Sequence, residues 1–265
     1  MDSDVLVVKK KGLVATLVLN RPEKRNSLSP ELLVRIHQAL EELRRKDEVR
    51  CVVIRGTGNK AFSSGYDIGS IPTNVDPEIA EKLKVQNPLE LAMSSVINYP
   101  YPVIAMLNGY AFGAGCELAV CCDMRVAADH IRMGMPPAKL GVVYPLEGLV
   151  RFVQILGLPL TRELFYTGRY YDAPRVKEMG LVNYLVPREE LEAVTYGFAE
   201  EIAANAPLSV KGTKRILSIL AGSFVISEQD RREAEKIVAE AFNSEDLKEG
   251  QAAFLEKRSP LFTGK

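Results

Sequence analysis

Two glycine-bearing turns in this 265-residue chain expose backbone in a way that suits chemistry. The first is Lys60-Ala-Phe-Ser-Ser-Gly-Tyr-Asp-Ile68, a short strand running into small residues, with Gly65 where unusual dihedrals are needed. Such a turn aims an amide into a cleft. The second, Asn108-Gly-Tyr-Ala-Phe-Gly-Ala-Gly-Cys-Glu117, leads directly into an apolar helix over 118–122. Its glycines at 109, 113 and 115 leave the backbone uncovered, and the helix start presents free amides with partial positive charge. A phosphate suits that place, and so does an oxyanion that develops during acyl chemistry. Taken singly, the first turn reads more readily as an ordinary strand-to-loop turn, and the second equally well as a close helix-to-sheet contact.

The elements that position these turns follow from hydrophobic patterning. Runs at 5–8 and 14–19 around Lys-Lys-Gly predict an opening hairpin. Ser29-Pro30-Glu31 predicts a capped helix to about Lys46, and 51–55 and 103–107 read as strands. Strand, glycine loop and helix alternate, which predicts an α/β fold with crossover connections. No Gly-x-Gly-x-x-Gly follows the first strand, so a dinucleotide site is not expected. After Thr161 the pattern turns mostly helical, over 174–180, 188–204, 207–222 and 227–248, suggesting a helical appendage that makes subunit contacts.

Composition narrows the function classes. Apolar residues make up 47% and charged residues 26%, the balance of a globular chain. Thirty-four basic and thirty-four acidic side chains cancel, so no nucleic acid or anionic membrane is expected as partner. No run approaches the roughly 18 apolar residues of a membrane span, and residues 1–11 lack a secretory core, which gives a cytoplasmic expectation. Cys51, Cys116, Cys121 and Cys122 lack zinc-site spacing and read as reduced core residues; no metal is expected. His37 and His130 fall on a surface helix and in a turn, away from the chemistry.

Jointly the motifs are far more specific. Asn20-Arg-Pro-Glu-Lys-Arg-Asn-Ser-Leu28, the stretch 61–68, the stretch 108–123, Gly180-Leu-Val-Asn183 and Ala206-Pro-Leu208 resemble the crotonase superfamily, the enoyl-CoA hydratase/isomerase family, over essentially the whole chain. The resemblance implies an α/β crotonase fold of repeated ββα turns: a spiral core with the acyl-CoA site over 1–200, and a helical oligomerisation region over 201–265 that builds trimers or dimers of trimers. It implies an acyl-CoA thioester as substrate, coenzyme A being part of it, with no other cofactor required. The amides of Tyr66 and Ala114 would form the oxyanion hole, where one preset donor is typically worth roughly 3 to 4 kcal/mol. Lys24, Arg25, Ala61, Ser63, Ser64, Gly65, Asp67 and Ile68 would border the coenzyme A.

The reaction is less sharply marked. Hydratases of the family use two glutamates; the first is present as Glu117, but Pro137 occupies the second position in Gly134-Met-Pro-Pro-Ala-Lys-Leu-Gly141. Leu140-Gly-Val-Val-Tyr144 and the tail Ser244-Glu-Asp-Leu-Lys-Glu-Gly250 to Phe254-Leu-Glu-Lys-Arg258 are similar to the methylmalonyl-CoA decarboxylase-like branch. Loss of carbon dioxide creates the enolate without a base, which fits a missing glutamate, and Tyr144 would orient the departing carboxylate. That branch carries histidine where this chain has Tyr66, and an ionised Glu117 would repel a substrate carboxylate. Two alternatives stay open. If Glu147 lies in a buried cleft facing Glu117, hydration or isomerisation returns; a non-catalytic relative binding coenzyme A or RNA is the other. The polar, proline-bearing segment over 69–87 reads as a cover over the site or a plain surface loop.

Overall fold

The computed structural model describes residues 4–70, 87–222 and 227–264; the segment expected to cover the site lies almost wholly outside them. Strands β1 (Leu6–Lys11) and β2 (Val14–Leu19) form the expected antiparallel hairpin. Helix α1 (Pro30–Lys46) begins as expected: Ser29 accepts from the Leu32 amide, and Pro30 occupies a first-turn position where no N–H is needed.

Three ββα units then follow. β3 (Cys51–Gly56) and β4 (Ala61–Ser63) precede α2 (Pro88–Ile97). β5 (Val103–Leu107) and β6 (Tyr110–Phe112) precede α3 (Ala114–Cys121). β7 (Met124–Ala128) and β8 (Arg132–Gly134) precede α4 (Leu146–Thr167), which is broken at Gly157 by a positive φ. Each unit gives its first strand to one sheet and its second to another. With β9 (Tyr170–Asp172) and β10 (Tyr184–Val186), the sheets run β1-β2-β3-β5-β7-β10 and β4-β6-β8-β9. Pairing is parallel except for β1 with β2 and β8 with β9, as crossover connections require. The core between sheet and helices is built from fully buried side chains such as Leu17, Ile36, Ile54, Phe62, Met93 and Ile104. All four cysteines are free and buried, and burial pushes the Cys51, Cys116 and Cys122 thiols up to about 12.

The region after 161 is mostly helical, as expected, and it also holds β9 and β10, which complete the two sheets; at three residues each they are too short to show alternation. The stretch over 227–248 is two helices, α8 (Glu228–Phe242) and α9 (Glu245–Glu256). Ser244 divides them by accepting from the Leu247 amide, with Glu245 and Asp246 against the positive helix end. Before them, α5 (Ala173–Glu178), α6 (Leu191–Ala204) and α7 (Pro207–Ala221) follow in order. The expected division at 200/201 falls inside α6, which packs on β3, β5 and β7. α7 buries none of its residues and exposes Leu208, Leu217 and Leu220.

Candidate active site

The two glycine turns meet. Gly65 has φ +104°, and a Cβ there would stand 2.8 Å from the Phe112 carbonyl and 3.6 Å from the Ala114 amide nitrogen. A Cβ on Gly115 would stand 2.7 Å from the Ser63 carbonyl. The glycines therefore allow contact between the turn after β4 and the start of α3 that no side chain would permit.

That contact leaves two amides unused. Leu28 forms a parallel bridge with Tyr66: its N–H donates to the Gly65 carbonyl at 2.8 Å and its carbonyl accepts from the Asp67 N–H at 3.0 Å. In this pattern the N–H of the middle residue, Tyr66, points away from Leu28. Ala114 is the first residue of α3, whose leading amides have no partner within the helix. Neither amide donates to another described residue.

The loop before α1 clamps this turn. Asn26, buried and left-handed at φ 55°, donates to the carbonyls of Thr57 and Ala61 and accepts from the Arg21 amide. Arg21 reaches Asp67 at 3.0 Å, and Ser64 donates to the carbonyls of Arg25 and Lys24. Lys24 and Arg25 are exposed beside Ser64, whereas Ala61, Ser63 and Gly65 are buried beneath. The Ile68 carbonyl accepts from Gln251 on α9, which brings the C-terminal region to the rim. The residues expected to border coenzyme A thus stand together. Burial and the neighbouring Asp67 charge hold the Tyr66 phenol above its usual range, so it stays neutral.

One turn along α3, Glu117 is 2% exposed and fully engaged. Its Oε2 accepts from the Tyr144 hydroxyl at 2.5 Å and its Oε1 from Arg151 at 2.7 Å. Arg151, on α4, also donates to Glu90 on α2 at 2.5 Å. Burial raises the Glu117 carboxyl above the usual carboxylate range, against the pull of Tyr144 and Arg151. Its contribution to stability is therefore present below the ordinary carboxylate pKa and lost as pH rises through the folded value. The Tyr144 hydroxyl is pushed far up by burial and by Glu117.

Gly148 makes room for this pair, since a Cβ there would stand 2.6 Å from the Tyr144 ring and 3.0 Å from Glu117 Oε1. Gly148→Ala is expected to displace the ring and lower kcat at least about tenfold with the fold kept, read by steady-state kinetics beside circular dichroism.

Glu147 does not join them. The expectation of a buried carboxylate facing Glu117 is not met: its side chain is 44% exposed in the first turn of α4 and bonds Arg231 on α8 at 2.6 Å. Pro137 is buried in a 3-10 turn over Pro137–Leu140. His37 bonds Ser95 at 2.7 Å, and His130 lies beside Asp129. No group of His, Cys, Asp and Glu among the described residues could hold a metal, and no described helix is long and apolar enough to cross a membrane.

Sequence reasoning missed Arg151 and Glu90. Arg151 stands four residues after Glu147, the spacing of an exposed helix pair, which hides its turn inward.

A family model described as enoyl-CoA hydratase/isomerase matches residues 9–265. The chain belongs to the enoyl-CoA hydratase/isomerase family. Among family relatives, a Thermus thermophilus protein provisionally named an enoyl-CoA hydratase is 37% identical over 257 residues, covering 97% of this chain and 100% of its own. Methylmalonyl-CoA decarboxylase of Escherichia coli is 33% identical over 253 residues, covering 95% of each. Among solved structures of the family, methylmalonyl-CoA decarboxylase in complex with 2-nitronate-propionyl-CoA superposes with TM-score 0.91 at 32% identity, covering 99% of each chain. An enoyl-CoA hydratase from Bacillus anthracis, also at 32% identity, gives 0.75 over 99% of this chain and 100% of its own. The two sheets assembled from ββα units are thus the crotonase fold.

Proposed function

We propose that this acyl-CoA enzyme is a lyase that decarboxylates a methylmalonyl-CoA-type thioester, with coenzyme A as part of the substrate and no further cofactor. The observation that carries the reading is the Tyr144–Glu117 pair, which among the described residues stands without a second free carboxylate. The thioester oxygen lies between the Tyr66 and Ala114 amides. The bond from the α-carbon to the carboxylate breaks, carbon dioxide leaves, and the electron pair becomes an enolate whose oxygen charge those amides stabilise. Tyr144 first orients the carboxylate, then gives its hydroxyl proton to the α-carbon. Protonated Glu117 restores that proton, and solvent restores Glu117; one proton is consumed per turnover.

The higher superposition with the decarboxylase than with a hydratase of equal identity supports this choice. A hydratase or isomerase reading draws on the Thermus relative and needs a second carboxylate beside Glu117. Glu147→Gln separates the two: on the decarboxylase reading, kcat on methylmalonyl-CoA stays within about twofold of wild type, because Glu147 points to Arg231. A non-catalytic role fits poorly with two amides left free at a buried acid pair. Turnover in D2O tests the proposal: carbon dioxide and propionyl-CoA carrying one deuterium at the α-carbon are expected, and recovery of unchanged thioester overturns it. The exposed leucines of α7 support assembly as a trimer or a dimer of trimers.

A further inference from the structure

We propose that Arg151 is a positioning residue that sets how Glu117 and Tyr144 share a proton, with Glu90 as its counterweight. This rests on the reading of Glu117 and Tyr144 as the proton-carrying pair, and it assigns work to two residues that touch no substrate.

The direction of the Tyr144 hydroxyl depends on Glu117. When Glu117 is ionised it is acceptor-only, so Tyr144 donates to it and has no proton to offer elsewhere. When Glu117 is protonated it can donate to the Tyr144 oxygen, which frees the hydroxyl proton for a ligand. Whatever decides the charge of Glu117 therefore decides whether Tyr144 faces the site as an acid.

The groups around the carboxyl can be named. From α3 comes Cys121, from α4 Arg151, from α2 Glu90, and from the turn before α4 Tyr144. Burial lifts the Cys121 thiol well above its usual range, and Cys116, next to Glu117 in the chain, to about 12; both stay neutral. Charge control falls to Arg151 and Glu90. The Arg151 guanidinium is 12% exposed and forks: one nitrogen holds Glu117 Oε1 at 2.7 Å and another holds Glu90 Oε1 at 2.5 Å. Glu90 is anchored by the Ser94 hydroxyl at 2.8 Å. Arg151 favours the ionised form of Glu117, and Glu90 favours the neutral form, both through its own charge and by sharing the guanidinium. Removing one or the other moves Glu117 in opposite directions, a result that simple loosening of the fold does not produce.

The test titrates Glu117 in the ligand-free full-length protein by NMR of 13C-labelled glutamate carboxyls, with Glu117→Gln assigning the signal. In Arg151→Gln the midpoint should rise by about one pH unit or more, and in Glu90→Gln it should fall. Arg151→Lys, which keeps the charge without the fork, should lie between Arg151→Gln and wild type. The high-pH limb of carbon dioxide release should move with each midpoint. Midpoints that stay put, or shift the same way in Arg151→Gln and Glu90→Gln, overturn the inference. If Arg151→Gln does not fold, Glu90→Gln decides alone: Glu90 is partly exposed, and in that variant the Glu117 midpoint must still fall. Opposite midpoint shifts without any carbon dioxide release would uphold the inference and reject the decarboxylase reading.

Discussion

Replacing Ala114 by proline is expected to lower kcat on the cognate thioester by about 10²- to 10³-fold while leaving the fold intact. Ala114 is the first residue of α3, where proline fits because its ring needs helical φ and the missing N–H has no intrahelical acceptor. The preceding Gly113 has φ 51° and ψ −126°, a conformation open to glycine alone, and nothing but the Gly65 Cα lies within 4 Å of where its own Cβ would be. The substitution removes one hydrogen-bond donor and puts the ring Cδ where that N–H pointed. Loss of binding without loss of kcat would mean that the amide holds the ground state only.

Tyr144→Phe is expected to reduce kcat by about 10²- to 10⁴-fold with KM nearly unchanged. The ring still packs against Phe165, 5.4 Å between centroids, so the pocket wall survives. What disappears is the proton that reaches Glu117 Oε2 at 2.5 Å. Stability should fall by about 1 to 3 kcal/mol in urea unfolding, since a buried carboxyl oxygen is left without its hydrogen-bond partner. The lost bond also raises Glu117 further, because Tyr144 was holding it down. Equal turnover by Tyr144→Phe would remove this hydroxyl from the mechanism.

Much of this site is legible in the sequence because backbone chemistry writes itself in glycine. Gly65, Gly113 and Gly115 mark the turns that must pass within contact distance, and the structure brings those turns together around Tyr66 and Ala114. Helix α1 is readable for a similar reason, as its cap and first-turn proline are local. What is not readable depends on distant partners. Arg151 and Glu90 lie 61 residues apart and look like ordinary helix-surface charges until α2 and α4 are set on either side of Glu117. Glu147 errs the other way: a carboxylate within a loop that departs from the family pattern invites a catalytic role, yet one helical turn sends it to Arg231. The strands β9 and β10 exist through pairing with β8 and β7 rather than through any pattern of their own.

The most direct measurement follows carbon dioxide release from methylmalonyl-CoA and water addition to crotonyl-CoA with the same purified protein under the same conditions. Rapid decarboxylation with negligible hydration is the expected result. Hydration alone would contradict the account, placing Glu117 in a two-carboxylate site despite Pro137 and the outward turn of Glu147.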